Sequence, residues 1–128
     1  MNILLVEHIL FYGDMIRASL FRRGHTCFLA ENAVDALSYI SVLQFDCVVV
    51  DILIPGSATL EEILYACQVY NSPIVMVSDD ATIKAQYSNY NVIGVIPRES
   101  LFNYSFMDNF ITGLENNVYG GKLNVGST

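Results

Sequence analysis

Glu7-His8, Asp51, Ser78-Asp79-Asp80 and Pro97-Arg98 each close a short apolar run of the chain. Together they offer carboxylate oxygens, a hydroxyl, an imidazole and a guanidinium. Carboxylates are hard ligands that suit Mg2+-like cations. An imidazole suits softer metals, and a guanidinium binds anionic oxygens. One acid at the end of one run means little. Four runs that each end in polar groups form a much stronger pattern, provided that the chain brings those ends to one place.

The elements that must do so alternate along the sequence. Asn2–Val6, Thr26–Ala30, Cys47–Asp51, Ile74–Val77 and Val92–Ile96 read as strands, being short, apolar and rich in β-branched residues. Between and after them, 10–23, 33–43, 59–70, 80–90 and 100–118 read as helices, the fourth with the weakest pattern. Gly24 stops the first helix, and Asn32 caps the second, in which Val34, Leu37, Ile40 and Val42 are expected to face inward. Strands that are continuously apolar and alternate with helices argue for a parallel sheet covered on both faces. In such sheets ligands bind beyond the carboxyl ends of the strands, where the polar groups above would collect.

Composition narrows the function classes. The 128 residues fit one domain, with 53% hydrophobic and only 15% charged residues and a net charge of −7. An acidic chain repels phosphate backbones, so no nucleic-acid partner is expected. No apolar run approaches the length of a membrane span, and the start lacks the basic region of a signal peptide, so a cytoplasmic protein is expected. Cys27, Cys47 and Cys67 show no C-x-x-C spacing and read as free thiols. The segment 7–13 lacks a Gly/Ser/Thr-rich phosphate cradle, which argues against a flavin or nucleotide site. Residues 1–118 form the expected domain, and 119–128 a flexible tail.

The sequence resembles the receiver domains of two-component response regulators from residue 1 to about 116. Ile3-Leu4-Leu5-Val6-Glu7 resembles the opening strand and first acid, and the run Phe45 to Pro55 the segment carrying the phospho-accepting aspartate, here Asp51. Pro73 to Ser78 resembles the strand ending in the switch hydroxyl, and Gly94 to Ser100 the segment carrying a lysine, with Arg98 in its place. The resemblance implies a flavodoxin-like α/β fold, a doubly wound five-stranded parallel sheet of order 2-1-3-4-5 with five helices. It also implies a non-enzymatic signalling role in a phosphorelay. Asp51 would accept a phosphoryl group from a histidine kinase or phosphotransfer protein, Ser78 would act as the switch, and Arg98 would bind a phosphoryl oxygen. Glu7 and Asp51 would hold Mg2+.

Several residues depart from the family pattern. His8 stands where a second metal-contacting acid is usual, so the Mg2+ site is expected to be weak. Asp79 stands where a small residue is common. It could repel the phosphoryl group or replace the lost ligand, or Asp79 and Asp80 could simply favour a helix N-terminus. Val95 replaces the switch aromatic. Arg17, Arg22 and Arg23 cluster on the first helix, where kinases contact such domains in the family, and otherwise read as an ordinary solvated face. Tyr87, Tyr90, Phe102, Phe106 and Phe110 crowd the region of helix 4, strand 5 and helix 5. They read either as core or as a surface for a downstream protein or a second copy, with Phe102, Phe106 and Phe110 forming a stripe beside Met107, Ile111, Leu114 and Val118. The alternative function is a phosphorylation-independent pseudo-receiver that acts as a protein-interaction module.

Overall fold

The computed structural model describes the backbone of residues 1–56 and 58–127 and the side chains of 1–56 and 58–120. In chain order the elements are β1 (Asn2–Val6), α1 (Leu10–Arg22), β2 (Thr26–Ala30), α2 (Ala33–Val42), β3 (Cys47–Asp51), α3 (Leu60–Val69), β4 (Ile74–Val77), α4 (Ile83–Gln86), β5 (Val92–Ile96), a 3-10 turn (Arg98–Phe102) and α5 (Tyr104–Ser127). The strands pair in parallel in the order β2-β1-β3-β4-β5, as expected. The expected tail 119–128 falls mostly outside the described side chains. Among the described residues, no helix is long and apolar enough to cross a membrane.

Strand residues alternate between two core layers, because successive side chains of a strand point to opposite faces. Leu4, Val6, Val48, Val50, Ile74 and Met76 pack against α2 and α3. Ile3, Leu5, Cys47, Val49, Val75 and Val77 pack against α1 and α5. Burying each large aliphatic side chain contributes roughly 1.5–3 kcal/mol, so the sheet is held from both sides.

Local chemistry fixes the helix ends. The Asn32 side chain accepts from the Asp35 backbone N–H at 2.8 Å and caps α2. Thr59 caps α3 in the same way, accepting from Glu62 N–H at 3.2 Å. Gly24 follows α1 at φ +79°, and its N–H reaches the Phe21 carbonyl. Only glycine adopts that backbone without a Cβ penalty.

Three expectations need correction. Val34 and Val42 face solvent, at 47% and 75% exposure, and α2 buries Ala33, Ala36 and Ile40 instead. The two alanines face the sheet, and small side chains let the helix lie close to it. The helix expected over 80–90 contracts to the single turn α4, in which only Ile83 is buried. The last helix begins at Tyr104 rather than Ser100. The 3-10 turn precedes it, and the Asn103 carboxamide oxygen accepts from Phe106 N–H at 3.0 Å to start the helix.

Candidate functional site

The parallel register places the site. Val6 pairs with Val50, and Asp51 with Val77, so Glu7 and Asp51 emerge side by side at the carboxyl edge of the sheet. Ser78 and Arg98 follow the neighbouring strands, and Ser78 N–H donates to the Ile96 carbonyl at 3.0 Å. Glu7, Asp51 and Ser78 are all buried.

Asp51 accepts at Oδ1 from the Leu53 backbone N–H at 2.9 Å and from the Arg98 guanidinium at 2.6 Å. Glu7 accepts at Oε1 from Ile9 N–H at 3.1 Å. The His8 Nδ1 stands 3.8 Å from that same oxygen, with its side chain 35% exposed. The remaining oxygens, Glu7 Oε2 and Asp51 Oδ2, are buried without a hydrogen-bond partner among the described residues. A buried carboxylate oxygen without a partner is costly unless a proton or a cation satisfies it. Burial first, then the neighbouring Asp51 carboxylate, which would accept the proton of a protonated Glu7, push the Glu7 carboxyl up to about 7, against opposing pulls from Ile9 N–H and Arg98. One ligand atom from each of Glu7, His8 and Asp51 lies within 4.8 Å of the others. Two orphaned carboxylate oxygens beside an imidazole fit a divalent cation.

Arg98 is gripped from a second side. Asp79 accepts from the Arg98 backbone N–H at 2.8 Å through Oδ1 and from the guanidinium at 3.4 Å through Oδ2. Asp79 thus neither joins the Glu7, His8 and Asp51 group nor stands free to repel an anion. No sequence signal pointed to this pairing, which spans 19 residues and exists because β4 and β5 are neighbours. Asp80 does serve a helix start: it accepts from the Thr82 N–H and hydroxyl and from the Gln86 amide. Ser78 Oγ accepts from Asp80 N–H at 3.0 Å, which ties the hydroxyl to the β4–α4 segment.

A cavity of about 680 Å³ opens beside Ser78 and Arg98, lined in part by Tyr12, Val95 and Phe102. Phe102 belongs to the 3-10 turn, not to the α5 stripe, and its ring lies 5.5 Å from that of Phe11 on α1. Phe106 and Phe110 stack at 6.3 Å and are half-buried, as are Tyr87 and Tyr90. Of the five aromatics, only Phe102 is mostly exposed, at 51%. On α1, Arg17 is exposed and Arg22 lies over the Tyr104 ring, and Arg23 just after the helix bonds to Thr112 and Glu115 of α5.

The same arrangement of strands is found in solved structures of receiver domains. A signal receiver domain from Vibrio parahaemolyticus superposes with a TM-score of 0.79 at 12% identity, covering 95% of each chain. This is the receiver-domain fold. A response regulator from Thermotoga maritima, solved in complex with Mg2+-BeF, gives a TM-score of 0.73 at 19% identity, over 88% of this chain and 97% of that one. The receiver domain of a sensor histidine kinase from Pseudomonas aeruginosa, solved with magnesium coordinated in its active-site cleft, gives 0.72 at 16% identity, over 90% and 94%. No family model and no curated protein matches the chain by sequence.

Proposed function

We propose that this chain is a phosphorelay receiver that accepts a phosphoryl group on Asp51. The observation that carries the reading is the buried Glu7–Asp51 pair at the carboxyl edge of a receiver-type sheet, with Arg98 on Asp51 and the Ser78 hydroxyl at the next strand end. The donor is a phosphohistidine of a histidine kinase or phosphotransfer protein. A carboxylate oxygen of Asp51 forms the new P–O bond as the P–N bond to the donor imidazole breaks, and that imidazole leaves with the electron pair and takes up a proton. Glu7 and Asp51 would hold a divalent cation, which supplies positive charge against the phosphoryl oxygens when bound. Arg98, already on Asp51, moves its fork to a phosphoryl oxygen. His8 replaces an oxygen ligand and weakens Mg2+ binding.

Output passes through contact with another protein in the cytoplasm rather than through catalysis by this chain. The aromatics around α4, β5 and α5, with Phe102 as the most exposed, offer the surface for a downstream partner or a second copy. The test is mass measurement after exposure to phosphoramidate with Mg2+, Mn2+ or Co2+. The wild type should gain one phosphoryl group and Asp51→Asn none; no gain with any of the three metals in folded protein refutes the reading.

The Arg98 position favours one second reading. The guanidinium already neutralises Asp51 and is itself clamped by Asp79. A pseudo-receiver held in one state by that clamp would bind its partner without phosphate. Asp51→Asn would then leave partner binding unchanged.

A further inference from the structure

The metal-ligand cluster is not an all-oxygen one. Its three members are a carboxylate after β1, a carboxylate at the end of β3, and the imidazole of the residue next to Glu7. The two oxygens without partners, Glu7 Oε2 and Asp51 Oδ2, are buried, and the second is not the oxygen that Arg98 holds. The third donor is a nitrogen on a side chain 35% exposed; its Nδ1 stands 3.8 Å from Glu7 Oε1, and one ring nitrogen lies within 4.8 Å of a carboxylate oxygen of each acid. Mg2+ demands oxygen ligands in a near-ideal octahedron. Late first-row ions accept imidazole and carboxylate together, and their affinity rises from Mn2+ through Co2+ to Cu2+.

We propose that Glu7, His8 and Asp51 form a site for an imidazole-binding divalent transition ion, of the Co2+ or Zn2+ class, in preference to Mg2+, and that His8 sets this choice. The inference deepens the receiver reading and rests on it only for the cleft in which the cation sits. It needs no phosphoryl transfer. His8 is the specificity residue, and Glu7 and Asp51 supply the charge that any divalent ion requires.

The experiment uses the full chain without phosphodonor, titrated with Co2+ and with Mg2+ by calorimetry, and read independently by the NMR contact shift that Co2+ imposes on a coordinated imidazole. The wild type should bind Co2+ tighter than Mg2+ and show a contact-shifted ring for His8, with His25 serving as the unshifted reference. Losing even an outer partner of a metal ligand costs about 10-fold to 100-fold in affinity, so His8→Asp should narrow the Co2+/Mg2+ preference by about 10-fold or more. That variant should weaken Co2+ and strengthen Mg2+ binding, whereas His8→Ala should weaken Co2+ without the gain in Mg2+. An unchanged preference in both variants, a contact shift on His25 instead of His8, or no Co2+ binding by the wild type overturns the proposal. A chain that binds Co2+ through His8 yet gains no phosphoryl group refutes the phosphoacceptor reading and leaves this one standing; phosphoryl gain with unchanged preference does the reverse.

Discussion

Burial of Glu7 beside Asp51 makes the cleft sensitive to pH. The Glu7 carboxyl is raised from 4.5 to about 7, chiefly by burial and by the neighbouring Asp51. The folded chain therefore holds this proton more tightly than the unfolded chain does. The stability that the proton contributes is fully present below about pH 4.5 and is lost as pH rises through about 7. With metal chelated, denaturant midpoints should fall across this window in the wild type and fall less in Glu7→Gln, whose amide cannot ionise. Arg98 pulls Glu7 the other way, so Arg98→Ala should move the fall to higher pH. A wild type and a Glu7→Gln variant with parallel pH profiles would contradict this account. At this scale the sequence was informative about residue types at strand ends: Glu7, Asp51, Ser78 and Arg98 all arrive where runs of apolar residues end. It was silent on the Asp79 grip of Arg98, because a contact between residues far apart in the chain depends on which strands lie side by side.

Among the elements, the strands were legible and α4 was not. The central strands β1, β3 and β4 are buried on both faces and the edge strands β2 and β5 are partly buried, so each reads as an apolar run whose bounds follow from where that stops. The segment 80–90 carries helix formers in Ile83, Lys84, Ala85 and Gln86, but Ser88, Asn89 and Asn91 follow and little of it is buried. Asp80 binds the Thr82 N–H and hydroxyl, which fixes the start of the turn, yet Ile83 is its only buried residue, with Tyr87 and Tyr90 after it half-buried against the same core. In α2 the difficulty was different. Alanine and valine are both apolar, and periodicity cannot decide which stripe meets the sheet when both are available; closeness of approach favoured Ala33 and Ala36. The thin anchoring of α4 has a measurable consequence. Hydrogen exchange should open 79–91 at a free energy well below that of β1 and β3. Because Ser78 Oγ accepts from Asp80 N–H, and Val95 has no ring to swing, phosphorylation of Asp51 should alter exchange in this segment more than in β5. Equal protection of α4 and the central strands would show that contacts beyond Ile83 hold it.

Across the whole molecule, the polar groups gather at two opposite ends of the sheet. At the end away from the cleft, His25 is buried with Nε2 2.7 Å from Glu115 Oε2 and Nδ1 2.8 Å from the Met1 amino nitrogen. Arg23 donates to Glu115, to the Thr112 hydroxyl at 3.0 Å and to the Asp108 carbonyl at 3.3 Å. Glu115 is therefore the α5 residue that binds both Arg23 at the end of α1 and His25 at the start of β2. Removing it leaves the buried His25 Nε2 without its partner and loosens a guanidinium, while the apolar layer of Ile16, Leu20, Met107, Ile111 and Leu114 stays in place. Glu115→Ala should cost about 2 kcal/mol in denaturant unfolding, and Glu115→Gln less, since its amide oxygen can still accept. Distant sites without shared partners behave additively, so the metal affinity of the cleft should not move in either variant. A Glu115→Ala protein that kept wild-type stability would show that the α1–α5 layer is held by its apolar contacts alone. A change in cleft affinity would mean that α5 transmits strain from one end of the sheet to the other.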